Sequence, residues 1–163
     1  EILDESEKAV KEGEIGELVI TTLGVEGMPL IRFKTGDLCR AFTQKCSCGR
    51  NSTRLSPILG RKGQMIKYKG TTLYPSALYD VLDNIEGIVN YQVQVYTNSL
   101  GTDSILIKIG TNKPSDSFER KIKEHFRARI RVAPEISFEP IELLTKAILP
   151  PQSRKPIKFL DVR

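Results

Sequence analysis

One segment divides this sequence and limits what it can fold into: GRKGQMIKYKG, from Gly60 to Gly70. Arg61, Lys62, Lys67 and Lys69 crowd around the short apolar pair Met65-Ile66. A strand this charged has little to bury, so it is poor core material. The flanking glycines tolerate backbone angles that other residues avoid. The combination suits a hinge that carries a ligand-facing loop. The hydrophobic pattern differs on its two sides. The expected fold class is therefore α+β. A small antiparallel β unit spans 1–59, and a ferredoxin-like βαββαβ domain spans 60–163, with the hinge at 60–64.

Before the hinge, residues 1–13 are charged and read as a frayed or helical start. Glu17–Leu23 is rich in β-branched residues and reads as a strand. Leu30–Lys34 and Leu38–Thr43 read as two more, bent at Thr35-Gly36-Asp37. Gln44–Ser52 is a loop, and Ser56–Leu59 is a last short strand. Such a unit has too little core to stand well alone.

After the hinge, Leu78, Val81, Leu82 and Ile85 form one helical stripe behind Pro75, a residue suited to a first helical turn. Val89, Tyr91, Val93 and Val95 alternate with Asn90, Gln92 and Gln94, as a half-buried strand does. Asn98–Thr102 is turn-like and Ser104–Ile109 is the partner strand. Ser115 or Asp116 caps a helix to about Ile130, with Phe118, Ile122 and Phe126 spaced along it. Glu135–Glu139 reads as a strand. Residues 146–163 read as an extended tail with a short terminal strand. From Met65 onward the order is β-α-β-β-α-β, a pattern that by itself implies no function.

Composition narrows the function classes. The 163 residues hold no apolar run of membrane-spanning length, and 28% are charged. The acidic opening is no signal peptide and lacks an initiator Met, so the chain reads as a piece of a longer cytoplasmic protein. The net charge of +5 points to an anionic partner. Nucleic acid is disfavoured, because Trp is absent and no aromatic residues interleave with the basic ones. The phosphates of a nucleotide or of coenzyme A fit the charge better. An odd count of three cysteines, Cys39, Cys46 and Cys48, argues against a disulfide framework.

Several residues suggest chemistry. Asp37, on a glycine-bent strand, presents two oxygens that match a vicinal diol. Arg61 offers a planar fork of donors to ribose or phosphate. Lys67 and Gly70 lie on the strand after the hinge and at its turn. Lys155 stands in a basic tail, with Lys158 as its competitor. Cys46-Ser-Cys48-Gly49 is a thiolate pair that could contribute to zinc, with Cys39 as a third candidate. Closed zinc sites want four ligands, so this chain would supply only some of them.

Taken together, ELVITTL followed by PLIRFKTGDL, then GRKGQMIKYKG, CxCGR and the Lys155 tail resemble the adenylate-forming acyl-CoA ligases, in particular the phenylacetate-CoA ligase branch. The resemblance covers the chain from Gly13 to Arg163. It implies that Asp37 and Arg61 hold the ribose of ATP. It makes Gly63, with Lys62 as the alternative, the pivot between a large and a small domain. It assigns Lys67 and Gly70 to thioester formation, with Gly70 lining the thiol channel, and Lys155 to adenylation. Gly63 departs from the Asp or Lys usual at the pivot, and Arg154 and Pro156 depart from the usual tail.

The implied reaction uses ATP with Mg2+, a small carboxylic acid such as phenylacetate, and coenzyme A. It proceeds through an acyl-adenylate, after which the small domain rotates. Neither nucleic acid nor a membrane is an expected partner, and a homodimer is left open. The fragment alone is expected to be inactive. Competing readings are a ferredoxin-like ligand-sensing or interaction module, a zinc-bearing nucleic-acid module, and an adenylating enzyme with an acyl acceptor other than coenzyme A.

Overall fold

The computed structural model describes residues 1–163. The chain forms a mixed α+β structure of two compact units, Glu1–Met65 and Ile66–Arg163.

The first unit is an antiparallel sheet of β1 (Ile2–Leu3), β2 (Ile15–Ile20), β3 (Phe33–Phe42), β4 (Arg54–Leu55) and β5 (Gly60–Arg61). The charged N-terminus is neither frayed nor helical. Ile2 and Leu3 pair with Leu18 and Glu17 and are buried, because pairing hides the segment's first apolar residues. The Asp4 carboxylate accepts from the Ser6 and Lys8 amides and closes the turn that follows. Gly16 is required where β1 crosses β2. A Cβ there would lie 2.7 Å from the Leu3 carbonyl oxygen.

The two strands expected around Thr35-Gly36-Asp37 are one strand, β3. Gly36 absorbs the bend at φ +76°, and the register against β2 shifts between Glu17 and Val19. The strand expected at Ser56–Leu59 is displaced to its two sides. Ser56 and Leu59 still donate to the Arg40 and Leu38 carbonyls. Pro57 has no N–H, so the ladder is interrupted between β4 and β5. Both β4 and β5 nonetheless pair with β3.

The second unit begins with a hairpin, β6 (Ile66–Tyr68) and β7 (Thr71–Leu73), which forms a two-stranded sheet of its own. Then come α1 (Pro75–Leu82), β8 (Asn90–Thr97), β9 (Asp103–Gly110), α2 (Asp116–Ile130), β10 (Glu135–Glu139), α3 (Ile141–Ile148) and β11 (Phe159–Asp161). The main sheet runs β10-β9-β8-β11, with β8 and β9 antiparallel and the two outer pairs parallel. This order differs from the ferredoxin-like arrangement expected from the sequence. The first strand does not enter the main sheet, because Lys69 (φ +46°) and Gly70 (φ +80°) turn it back onto β7. Two consecutive positive-φ residues make the tight turn whose twist matches a hairpin.

The core holds Leu78, Val81 and Leu82 from α1, Ile122 and Phe126 from α2, and Val93, Val95, Ile105 and Ile107 from the sheet. Ser115 caps α2 by accepting from the Phe118 amide. Helix α3 begins in a stretch that the sequence reading left unassigned and runs through Lys146–Ile148, which were expected to be extended tail. It buries Leu144 and Ile148. It also covers part of the face of β8 expected to be polar and open. The Asn90 amide nitrogen donates to Thr145 Oγ1 at 2.7 Å. Further along that face, Gln92 is buried and donates to the Ile157 carbonyl at 2.8 Å.

Candidate active-site elements

In the first unit, the bend at Gly36 and the pairing of β3 with β5 place Asp37 directly opposite Arg61. Arg61 Nε donates to Asp37 Oδ1 at 3.2 Å. Thr35 fixes the local geometry: its hydroxyl donates to the Leu18 carbonyl at 2.9 Å and accepts from the Asp37 amide at 3.1 Å. The Arg61 side chain is 67% exposed and that of Asp37 26%. An ion pair this open contributes only about 0–1 kcal/mol and is easily exchanged for a ligand. The two residues expected to hold ribose are thus side by side, a carboxylate and a guanidinium on neighbouring strands.

Arg61 is followed by a 3-10 turn over Lys62–Gln64. Lys62 Nζ lies 3.3 Å from the buried Glu17 carboxylate, an attachment that the sequence reading missed. Gly63 does not use its freedom of backbone angle. Its φ is not positive, and a Cβ there would meet nothing within 4 Å. Positive φ is therefore not the reason for glycine at this position.

The cysteines separate. Cys39 is fully buried in β3, and burial pushes its thiol pKa up. Cys46 and Cys48 lie on the loop after β3 with their sulfurs 3.2 Å apart. Hydrogen bonds from Cys48, backbone first and then side chain, hold the Cys46 thiol below its ordinary pKa. The structure gathers no group of three His, Cys, Asp or Glu side chains able to hold a metal. What the loop does bring together is one pair of thiols, Cys46 and Cys48.

In the second unit, Ile66 and Tyr68 of β6 point into the core, while Lys67 between them is exposed. The Tyr68 hydroxyl donates to the Ala133 carbonyl at 2.8 Å. Gly70 stands at the tip of the hairpin, and a Cβ added there would meet nothing within 4 Å.

The two tail lysines, close in sequence, have different surroundings. Lys155 is exposed on a loop closed by Ser153. The Ser153 hydroxyl donates to the Lys155 carbonyl at 2.7 Å and accepts from its amide at 3.3 Å. Lys158 is half-buried. Its ammonium lies 3.3 Å from the Tyr91 hydroxyl and 4.5 Å from the centre of that ring. Tyr91 in turn donates to Asp83 at 2.8 Å. Burial and then the Asp83 carboxylate raise the Tyr91 pKa, while burial alone takes that of Tyr79 up to about 12. The Tyr79, Tyr91 and Asp83 cluster was not visible in the sequence, because its members come from α1, the residue just after it and β8.

No family model matches the chain. It is 38% identical over 117 residues to the phenylacetate-coenzyme A ligase of Thermus thermophilus, a match covering 70% of this chain and 26% of that protein. It is 28% identical over 158 residues to the Escherichia coli phenylacetate-coenzyme A ligase, covering 93% of this chain and 35% of that one. The chain therefore spans about a quarter to a third of the length of these curated relatives. Among solved structures, a 2-hydroxyisobutyryl-CoA ligase in the postadenylation state with 2-HIB-AMP superposes with a TM-score of 0.76 at 21% identity, over 100% of this chain and 35% of that one. The same ligase in the thioesterification state, with 2-HIB-AMP and CoA, gives 0.51 at 22% identity, over 99% of this chain and 35% of that one. At such identities the structural likeness speaks for the fold, and the sequence matches speak for descent. This chain is homologous to the AMP-forming CoA ligases and aligns with part of the phenylacetate-coenzyme A ligases.

Proposed function

We propose that the protein containing this chain activates an arylacetic-type acid, with phenylacetate as the first candidate, and transfers the acyl group to coenzyme A. In this reading the carboxylate attacks the α-phosphate of ATP, pyrophosphate leaves, and an acyl-adenylate forms. The thiol of coenzyme A then attacks the acyl carbon and AMP leaves. Asp37 accepts hydrogen bonds from the ribose hydroxyls, and Arg61 steadies the same sugar. The Lys155 ammonium offsets charge that builds up at the α-phosphate during adenylation. Lys67 and Gly70 serve the thioester step. The Gly60–Gln64 segment, with Lys62 or Gly63 as pivot, lets the second unit present each face in turn. Mg2+ accompanies the nucleotide, and no residue of this chain is assigned to it. The cytoplasm, where ATP and coenzyme A are available, is the proposed location.

The observation that supports this most strongly is the cross-strand pair of Asp37 and Arg61, in a chain homologous to ligases of this chemistry. The test uses the full-length protein. Phenylacetate should stimulate exchange of labelled pyrophosphate into ATP, and AMP should accumulate once coenzyme A is added. Exchange that no arylacetic acid stimulates would rule out the substrate class. Exchange without consumption of coenzyme A would point to another acceptor.

The cysteine pair fits a second, structural proposal. Cys46 and Cys48 supply two thiolates to a zinc ion whose other ligands come from outside this chain. Zinc, when bound, would brace the loop after β3 and take no part in the reaction. The full-length protein, expressed with zinc available, should contain close to one metal per chain. Cys46→Ser and Cys48→Ser should each lose most of it. A zinc-free unmutated protein would end this proposal.

A further inference from the structure

The β6–β7 hairpin stands outside the main sheet. Apart from its buried side chains, its position depends on a few polar anchors. The Lys67 amide points away from β7 and donates to Asp103 Oδ2 at 2.8 Å. Asp103 is the first residue of β9, immediately after the turn that follows β8. The same oxygen accepts from Arg163 Nη1 at 2.9 Å. Arg163 is itself gripped by Asp161 at the end of β11, with Nε donating to Oδ1 at 2.8 Å and Nη2 to Oδ2 at 2.6 Å. The side chains of Asp103 and Arg163 are only 16% and 23% exposed. One guanidinium thus joins two carboxylates, and one of them holds the hairpin backbone. Charge-assisted, two-pronged bonds of this kind are strong and set orientation as well as distance.

We infer that Asp103, held in place by Arg163, is a positioning residue for the thioester half-reaction, because it fixes the backbone of the strand that carries Lys67 and leads to Gly70. The inference rests on the function proposed above. Nothing in it requires Asp103 or Arg163 to touch a substrate. Their effect passes through the Lys67 amide to the hairpin tip. Lys155 lies on a different loop, so the pin acts on one half-reaction and spares the other.

The test compares Asp103→Ala, Asp103→Asn and Arg163→Gln in the full-length protein, with two readouts. In hydrogen exchange followed by mass spectrometry, Asp103→Ala and Arg163→Gln should speed exchange in residues 66–73 and leave 105–110 unchanged. In kinetics with a supplied acyl-adenylate, both variants should slow thioester formation on the order of tenfold, the effect expected from losing one charge-assisted hydrogen bond. The KM for coenzyme A should rise, and acid-dependent pyrophosphate exchange should stay within about twofold of the unmutated protein. Asp103→Asn keeps an acceptor for the Lys67 amide and should recover part of the rate.

Unchanged exchange in residues 66–73 would overturn the pin. Faster exchange there with normal thioester formation would overturn its role in the reaction. Equal loss of both half-reactions, with a lowered melting temperature, would make the cluster merely structural and would also overturn the inference. If the unmutated protein shows no acid-dependent exchange, the proposed function fails and the catalytic role of the pin fails with it. Hydrogen exchange alone then decides whether the pin exists.

Discussion

Under the proposed function, Lys155→Ala in the full-length protein should lower the rate of acyl-adenylate formation by about two to three orders of magnitude. That is the scale, ~3–4 kcal/mol, at which loss of one preorganised charge-stabilising donor acts in a water-excluded site. Conversion of a supplied acyl-adenylate to acyl-CoA should stay within a few-fold of normal. The choice of Lys155 over Lys158 has a physical basis. Lys158 lies over the Tyr91 ring with its ammonium on the Tyr91 hydroxyl. Moving it to a phosphate would leave a half-buried aromatic and carboxylate cluster without its cation. Lys155 is exposed, and only its backbone is held, by Ser153. Its side chain is therefore free to move without breaking a contact of this kind. Lys158→Ala should instead lower stability by about 1–2 kcal/mol, in the range of a cation–π contact with its hydrogen bond, and leave adenylation largely intact. Pyrophosphate exchange and thermal denaturation of both variants decide the matter. If Lys158→Ala stops adenylation and Lys155→Ala does not, the assignment of the tail is reversed.

The sequence was most legible where one local rule governs a segment. Pro75 at the start of α1, Ser115 as the cap of α2 and the apolar alternation of β8 each reflect such a rule, and each element formed where expected. It was least legible where a distant partner decides. The charged start of the chain became a strand only because β2 offers Leu18 and Glu17 as partners for Ile2 and Leu3. Gln92 looked like a solvent-facing residue of an alternating strand. It is buried because the segment at Ile157 lies against it, and nothing local to β8 announces this. The ferredoxin-like order failed for a local reason that was overlooked. Lys69-Gly70 is a two-residue hairpin turn, and it keeps β6 out of the main sheet.

The site shows the same division. Asp37 and Arg61 could be named from their residue types and from the resemblance, but their adjacency follows from the pairing of β3 with β5. Arg163 looked like an ordinary basic residue at the end of the tail. Its attachment to Asp103 depends on β11 lying parallel to β8.

Gly70 carries the other large expected effect, and its geometry separates two explanations for a glycine there. One is the turn: at φ +80° a side chain is strained, by about 1–2 kcal/mol for most residues and less for Asn. The other is space that a passing thiol arm needs. Within this chain a Cβ at Gly70 would touch nothing within 4 Å, so any obstruction must come from the substrate or from parts of the protein outside this chain. Gly70→Asn keeps a turn-compatible residue and adds a side chain. Gly70→Ala adds the strain with almost no bulk.

If the channel governs, Gly70→Asn should slow thioester formation on the order of a hundredfold, as misplacement of a reacting group by about an ångström does, and leave the melting temperature and pyrophosphate exchange near normal. Gly70→Ala should then be the milder lesion in kinetics and the worse one in stability. If the turn governs, the kinetic order reverses, with Gly70→Asn close to the unmutated protein in both half-reactions. If Gly70→Asn slows adenylation and thioester formation equally, the proposal that the second unit works through separate faces in separate steps is wrong for this protein. The pivot assigned to Lys62 and Gly63 would then lose its purpose.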